Sequence, residues 1–211
     1  MIIRRYISDL MFSNMYVLKE NGHALIIDPF ERYELPEDLR PDLMIITHEH
    51  YDHISGVNRV KEEYKTPSIC SEICAQRITN AKLNAARYFD AFSQLQTYGE
   101  QNPTVPVNTN YTCRADFTFE NEIRFNWQGN SCLLFTLPGH SPGSIGILIN
   151  NQYFFSGDSL FYDREIELRF PGGSKDDWNE ISLKKLEHIP DDVIVFPGHQ
   201  ENFRMKERRQ K

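Results

Sequence analysis

A short segment near residue 50 concentrates side chains of the kinds that bind metal ions in proteins. It reads Thr-His-Glu-His-Tyr-Asp-His over residues 47–53 and follows a run of apolar residues. In an extended chain, residues two apart point to the same side, so His48 and His50 can reach one ion. Asp52 and His53 lie at the turn into the next helix and can reach a second ion. Because imidazole nitrogens and carboxylate oxygens are ligands of zinc, iron and manganese, the spacing predicts a metal site.

Three later residues of ligand type share one setting. His140, Asp158 and His199 each follow a predicted strand and stand directly after a glycine, which permits the tight turn that aims the next side chain inward. A lone histidine in such a place is more often a hydrogen-bonded structural residue. The arrangement of a strand, a glycine and then a ligand-type residue occurs three times in a chain that already carries a metal motif. This repetition favours metal-ligand roles for all three residues.

Four segments carry a family resemblance: THEHYDH, LPGHSPGS, FSGDSLF and FPGHQ. They resemble the metal motifs of the metallo-β-lactamase superfamily, closest to its glyoxalase II (hydroxyacylglutathione hydrolase) branch, over nearly the whole chain. The resemblance implies an α/β fold, a four-layer αββα sandwich with the site at one edge of its two sheets. It also implies three sets of ligands: His48, His50 and His140 for one metal, Asp52, His53 and His199 for a second, and Asp158 bridging both.

Details of the motifs separate the chain from other branches of that superfamily. Class B1 β-lactamases carry a cysteine at the position of Asp158, which disfavours β-lactamase activity here. The flavodiiron branch has a glutamate at the position of His50. Asp28, in the segment LIIDPF, matches a family aspartate that supports the metal site by orienting a ligand imidazole. A plain turn aspartate before Pro29 is the alternative, and both interpretations stay open.

The resemblance implies two divalent metal ions, with zinc as the first choice and iron or manganese as alternatives. A hydroxide held between them would attack the carbonyl carbon of a small thioester, ester or lactone, while Asp52 holds the second metal and orients the hydroxide. Glyoxalase II proper continues into a glutathione-binding helical domain, whereas this sequence ends shortly after His199, so glutathione specificity is not expected.

Two other functions remain open at this point. Persulfide dioxygenases share the fold and use a single iron held by two histidines and one carboxylate, which here would be His48, His140 and Asp158. A metal-binding relative without catalytic activity is the third reading. The presence of all seven ligand positions favours two metals and hydrolysis.

The elements that must position these residues follow from apolar patterning. Short apolar runs up to residue 47 predict strands, two of them joined by an Asn21-Gly22 hairpin turn. Helices are predicted over 54–64, 71–87 and 176–188, the last capped by Ser174, and further strands are predicted within 116–158 and 193–200. Two groups of strands with associated helices predict two sheets packed face to face with helices outside, in one domain over 1–211.

A segment with little periodicity, about 88–114, is long for a connection and predicts a functional loop or lid. Its aromatic residues could line a substrate pocket, pack the segment down or form a dimer contact. They are Tyr88, Phe89, Phe92, Tyr98 and Tyr111.

Composition restricts the classes of partner. The formal net charge of −7 argues against binding to nucleic acid, which requires clustered positive charge. We predict no membrane span and no export signal, hence a cytoplasmic protein acting on a small molecule, and the oligomeric state stays open. The four cysteines lack metal-site spacing and are predicted to be reduced structural thiols. The basic residues after 203 are predicted to form a solvated terminus, and His23 and His188 to be surface residues.

Overall fold

Two six-stranded sheets form the centre of the fold. The computed structural model describes residues 1–32, 36, 39–91 and 107–210. The first sheet contains, in spatial order, β1 (Ile2–Ile7), β2 (Asn14–Glu20), β3 (His23–Ile27), β4 (Arg40–Ile45), β5 (Ser68–Ser71) and β6 (Phe117–Phe119). The second sheet contains β7 (Glu122–Trp127), β8 (Asn130–Thr136), β9 (Ile145–Ile149), β10 (Tyr153–Gly157), β11 (Ile194–Pro197) and β12 (Phe203–Arg204), also in spatial order. Both sheets are mixed, with parallel pairing of β3 to β6 in the first and of β10 with β11 in the second.

Alternation along the strands creates three apolar layers. Leu18 and Ile45 of the first sheet pack between the sheets against Leu134 and Ile147 of the second. Neighbours such as Val17 lie in a different layer, because successive strand residues point to opposite faces. Full burial of each of these aliphatic side chains contributes about 1.5–3 kcal/mol. The layer between the sheets therefore fixes how the strand ends of one sheet stand relative to those of the other.

Helices cover the two outer faces. The first sheet carries α1 (Tyr51–Ile54), α2 (Val57–Tyr64) and α3 (Glu72–Arg77). The second sheet carries α4 (Lys175–Asp177), a π-helical turn (Trp178–Ser182), α5 (Leu183–Leu186) and, after β12, α6 (Met205–Arg209). Buried Val57 and Val60 join the first outer layer, while Trp178 and Leu186 join the second. The predicted αββα sandwich is confirmed.

Two helices differ from their predictions. The helix predicted over 54–64 begins earlier and is broken around Gly56, whose N–H donates to Pro29 O at 2.8 Å and leaves no room for a side chain against Phe30. The helix predicted over 71–87 ends at Arg77. Turns replace the rest, because the Asn80 and Asn84 side chains accept hydrogen bonds from backbone N–H groups two residues later. The predicted helix near 176–188 is confirmed, with its Ser174 cap.

The basic side chains of the terminus are mostly exposed, as predicted, but the segment that carries them is packed against the second sheet. Phe203 and Met205 are buried in the outer layer of the second sheet. Arg209 donates hydrogen bonds to the carbonyl oxygens of Leu186 and Ile189, at 3.1 and 2.9 Å. Arg209 therefore caps the carbonyl groups at the end of the α5 region, and the tail is part of the packed structure although its basic side chains are exposed.

Other sequence-based expectations concern surfaces and thiols. All four cysteines are free and buried, as predicted for structural thiols. His188 is exposed, and partly exposed His23 pairs with Asp42. Within the described ranges, no helix combines the length and the apolar character that crossing a bilayer requires. Residues 92–106 of the predicted irregular segment lie outside the described residues.

Candidate metal centre

Four strand ends deliver the seven predicted ligand residues to one place. The 47–53 motif follows β4 and runs into α1, while His140, Asp158 and His199 follow β8, β10 and β11. The two sheets are joined here, because Ser13 forms a β-bridge with His199 and Asn14 N–H donates to Gly198 O at 2.7 Å. The layer of apolar residues between the sheets thus holds side chains from distant parts of the chain in register.

Two glycines allow the close approach of these loops. Gly157 has a φ of +50°, and a Cβ there would lie 2.7 Å from Thr47 Oγ1. At Gly198, a Cβ would overlap Asp158 Oδ1 and lie 2.9 Å from His53 Cε1. Any side chain at either position would push the loops apart, so these glycines are required by contact with the site itself.

The first group of ligand-type side chains consists of His48, His50 and His140. Their candidate ligand atoms all lie within 4.8 Å of one another. His50 Nδ1 faces His140 Nε2 at 3.0 Å. His48 Nε2 is buried and has no hydrogen-bond partner among the described residues. A buried imidazole nitrogen without a partner is costly unless something else, such as a cation, occupies its lone pair.

The second group consists of Asp52, His53 and His199. Asp52 Oδ2 lies 3.4 Å from Nε2 of both histidines, and the two Nε2 atoms are themselves 3.4 Å apart. Their ligand atoms also fall within 4.8 Å of one another. Two imidazoles and a carboxylate aimed at one point form a donor set that divalent transition metals accept.

Asp158 lies between the two groups. Its Oδ2 is 3.5 Å from His140 Nε2 in the first group and 3.4 Å from His199 Nε2 in the second. Its Oδ1 is 3.5 Å from His53 Nε2 and lacks a hydrogen-bond partner in the described part of the chain. One carboxylate therefore faces both groups, the position in which it could serve two cations at once.

Hydrogen bonds on the outer side fix three of the imidazoles. His48 Nδ1 donates to Thr47 Oγ1 at 3.0 Å, and His140 Nδ1 donates to the Glu167 carbonyl oxygen at 2.9 Å. His53 Nδ1 donates to Asp28 Oδ2 at 3.0 Å. In each ring, the other nitrogen, Nε2, is left facing the site. Such bonds select the tautomer and orientation that a metal ligand needs.

Asp28 occupies the supporting position rather than the centre. It lies close enough to His48 and His53 for a third ligand group. However, its Oδ1 already accepts from Thr47 N–H at 2.7 Å, and its Oδ2 accepts from Thr47 Oγ1 at 2.6 Å as well as from His53. Of the two interpretations of Asp28, this bonding favours support of His53.

Burial and charge divide the histidines into two kinds. Burial lowers the pKa of His50 to about 3 and that of His48 well below its ordinary value, so both are neutral with a free lone pair. Burial also acts to lower the pKa of His53 and His199. The carboxylates of Asp52 and Asp158 outweigh it and raise these pKa values to about 9 and 10, respectively. The carboxylates of Asp52 and Asp158 thus favour positive charge beside them, which a bound cation could supply.

Sequence reasoning missed a buried ion pair behind the site. Glu49, inside the metal motif, points away from the ligands and accepts from Arg77 Nε at 2.5 Å and from Ser141 Oγ at 2.9 Å. Arg77 also donates to Pro171 O at 3.1 Å, which ties the motif to the loop after β10. Glu167 contributes only a backbone carbonyl, which no sequence signal reveals. Thr47 could have been found, since it opens the motif.

A cavity of about 580 Å³ lies in front of the ligand groups. Of the aromatic residues predicted to line a pocket, Phe89 does so. Tyr111 instead packs down, with its ring 5.3 Å from that of Tyr51 and its hydroxyl donating to Ile54 O at 2.8 Å. Tyr88 is exposed on the surface. Phe92 and Tyr98 lie outside the described residues.

Comparison with known proteins identifies relatives of both sequence and fold. The family model "Metallo-beta-lactamase superfamily" matches residues 8–199. A probable metallo-hydrolase, YqgX of Bacillus subtilis strain 168, is 25% identical over 194 residues, covering 89% of this chain and 84% of that protein. A hydroxyacylglutathione hydrolase of Serratia proteamaculans strain 568 is 26% identical over 186 residues, covering 86% of this chain but only 59% of its own length.

Two solved structures show the same fold. The crystal structure of the BLEG-1 B3 metallo-beta-lactamase superposes with a TM-score of 0.80 at 24% identity, covering 100% of this chain and 97% of the other. That of ETHE1 from Myxococcus xanthus gives a TM-score of 0.70 at 19% identity, covering 100% and 82%, respectively. At these identities the likeness concerns the fold alone.

Proposed function

The chain belongs to the metallo-beta-lactamase superfamily, and on that premise we propose that it is a metal-dependent hydrolase acting on the carbonyl carbon of a small thioester, ester or lactone. One observation carries the proposal. The seven ligand-type side chains converge as two groups of three, with Asp158 facing both. The relatives named as a metallo-hydrolase and as hydroxyacylglutathione hydrolases support the hydrolytic class.

The residues present fit two divalent ions. His48 Nε2 and Asp158 Oδ1 are buried without hydrogen-bond partners among the described residues. Burial keeps His50 neutral, and its Nδ1 faces the Nε2 of His140. We assign one ion to His48, His50 and His140, a second to Asp52, His53 and His199, and Asp158 to both. When bound, such ions lower the pKa of water towards 7 and polarise a carbonyl oxygen.

The protein's own groups orient the reaction. Burial acts to raise the pKa of Asp52, but the neighbouring His53 and His199 outweigh it, so the carboxylate stays ionised and can accept a hydrogen bond from the attacking water. We therefore assign to Asp52 the catalytic role of holding and orienting that water. The loop after β10 covers one side, since Phe170 packs against His50 with ring centroids 5.6 Å apart and excludes bulk solvent there.

The second candidate function is oxidation by a single iron held by His48, His140 and Asp158. The convergence of Asp52, His53 and His199 beside that set favours two ions, because a single iron would leave this second group without a cation. A metal-binding protein without catalysis would need no cavity beside the ligands, and this chain has one.

The test is turnover by the full chain together with metal analysis. We expect protein purified without added metal, then loaded with zinc, iron or manganese, to hold about two ions per chain and to release thiol from simple thioesters. Chelation should abolish turnover and re-addition of metal should restore it. One iron per chain, with oxygen uptake on a persulfide and no thioester cleavage, would replace the proposal with the oxidative alternative.

Asp28 supplies a prediction about support of the second group. Asp28→Asn should weaken metal binding about 10–100-fold, because an amide has one acceptor oxygen and cannot both accept from Thr47 N–H and hold His53 in its tautomer and orientation. Competition with a chromogenic chelator measures this affinity directly. We expect the metal held by His48, His50 and His140 to be affected less.

The chain contains a matched control for that substitution. Asp42 also pairs with a histidine, accepting from His23 Nδ1 at 2.8 Å, but lies away from the ligand groups. Asp42→Asn removes the same kind of bond and should leave metal affinity unchanged. Equal affinities for the Asp28→Asn protein and the unmodified protein would refute the supporting role of Asp28.

A further inference from the structure

The cavity in front of the ligand groups has an apolar lip. Phe12 and Leu83 line it with exposed fractions of 73% and 42%, so both present apolar surface to a ligand. Met11 and Phe12 both have a φ of 56°, a backbone conformation rarely adopted by residues with side chains. Strained backbone of this kind is retained mainly where it holds side chains for function. The lip is therefore suited to contact an apolar part of a ligand.

The charged residues of the wall are unequally paired. Three carboxylates outside the ligand groups line the cavity, and each has an arginine partner. Glu165 pairs with Arg208 at 3.2 Å, Glu167 pairs with Arg169 at 2.6 Å, and Glu201 pairs with Arg5.

Two other cations that line the cavity have no carboxylate partner among the described residues. Lys82 and Arg164 are exposed and form no ion pair with a carboxylate in the part of the chain that the structure describes. Arg164 instead lies over the Phe161 ring, with 3.9 Å from its guanidinium carbon to the ring centroid, which holds the charge at the wall.

The ligand groups add to this positive character once they are occupied. Asp52 and Asp158 bring two negative charges and a metal-held hydroxide would bring a third, whereas two divalent ions would bring four positive charges. The cavity would then be positive although the chain as a whole has a net charge of −7. A local field of that sign raises the concentration of anions at the site.

We propose that the substrate is an amphipathic anion, whose negatively charged group is bound by Lys82 and Arg164 and whose apolar part lies against Phe12 and Leu83. The assignment rests on the proposed hydrolytic function for its reaction but on the cavity wall for its recognition. The proposed substrate is a thioester or ester that carries a carboxylate at a distance from the bond that is broken.

Charge is tested with matched pairs of thioesters. The probes are S-hexanoyl mercaptoacetate and S-hexanoyl mercaptopropionate, each compared with its uncharged primary amide, with thiol release as readout. We expect kcat/KM to be roughly tenfold higher for the carboxylates, and the preference to shrink as salt is raised because exposed charges are screened. Equal rates for carboxylate and amide would overturn the proposal.

Substitutions of Lys82 and Arg164 test whether these two side chains cause the preference for carboxylate substrates. Lys82→Met and Arg164→Met should each raise KM for the carboxylates about fivefold, leave kcat unchanged and leave the amides within about twofold. Lys82→Arg should retain the preference. Lys184→Met is the matched control, since Lys184 is an exposed lysine that does not line the cavity. An equal loss for carboxylates and amides would contradict charge recognition.

Contact of the apolar part of the substrate with Phe12 and Leu83 is tested through the preference for acyl-chain length. Leu83→Ser should reduce the advantage of hexanoyl over acetyl thioesters several-fold without changing the carboxylate preference, because each methylene that loses apolar contact weakens binding. An unchanged chain-length preference in both Leu83→Ser and Phe12→Ser proteins would remove the apolar lip from the proposal.

Direct binding separates this inference from the proposed function. Uncleavable S-hexyl mercaptopropionate and its amide are titrated calorimetrically into metal-loaded protein. If no thioester is hydrolysed but the carboxylate binds more tightly, with the preference lost in Lys82→Met and Arg164→Met, the hydrolytic function fails and the anion site stands. If thioesters are hydrolysed but neither kinetics nor calorimetry distinguishes carboxylate from amide, the anion site fails alone.

Discussion

Replacing His50 with alanine is expected to remove one metal ion per chain and to lower kcat/KM for thioester hydrolysis by about 10³-fold or more, equivalent to about 4 kcal/mol of transition-state stabilisation. His50 Nδ1 lies 3.0 Å from His140 Nε2, and its ring packs 4.7 Å from that of His48. Alanine would leave two imidazoles where three converge. Phe170, whose ring lies 5.6 Å from that of His50, cannot supply a ligand.

Two control proteins make this result specific. His188→Ala removes the same side chain from an exposed position, and Cys74→Ser alters a buried thiol that no ligand group contains. Both should keep about two ions per chain and near-normal turnover. Metal content is measured by mass spectrometry, and folding by thermal denaturation. Full turnover in a folded His50→Ala protein would show that His50 is not a ligand.

The convergence of the ligand residues could be predicted from sequence because each carries a local signal. His48 and His50 follow an apolar strand at a spacing of two, and the other strand ends place a glycine directly before His140, Asp158 and His199. Strand ends at one edge of packed sheets bring such residues together regardless of their distance along the chain. Apolar patterning predicted two sheets packed face to face with helices outside, whereas the αββα sandwich itself was implied by the family resemblance.

Some of what escaped prediction depends on local side-chain bonding, and the rest on contacts between residues distant in the sequence. The early end of the helix predicted over 71–87 follows from side-chain bonding by Asn80 and Asn84, which competes locally with helix formation. The packed C-terminal tail depends on carbonyl groups near Leu186 that accept from Arg209. Glu49 is a carboxylate inside the metal motif, so its residue type alone could not distinguish it from a ligand. Its ion pair with Arg77 shows that its side chain points away from the ligand groups. In the tail and at Glu49, the position of a side chain is set by a contacting residue that is distant in the sequence.

The largest loss of activity is expected for Asp158→Asn. Its two oxygens face His140 and His199 on one side and His53 on the other, so an amide in its place removes negative charge from both ligand groups. We expect fewer than one ion per chain and a fall in kcat/KM of about 10⁴-fold or more, beyond the effect at His50, because both ions lose a carboxylate. Asp116→Asn, a carboxylate paired with Lys61 outside the site, should retain full activity.

Comparison of Asp158→Asn with Asp52→Asn decides how many ions act. A single iron held by His48, His140 and Asp158 requires Asp158 but makes no use of Asp52. That case predicts a severe loss of turnover in Asp158→Asn and a mild loss in Asp52→Asn. Two ions predict severe loss at both positions, because Asp52 Oδ2 stands 3.4 Å from Nε2 of both His53 and His199. If Asp52→Asn keeps its metal and its turnover, the second group does not hold a catalytic ion. A one-metal reaction would then have to be built on the first group and Asp158 alone.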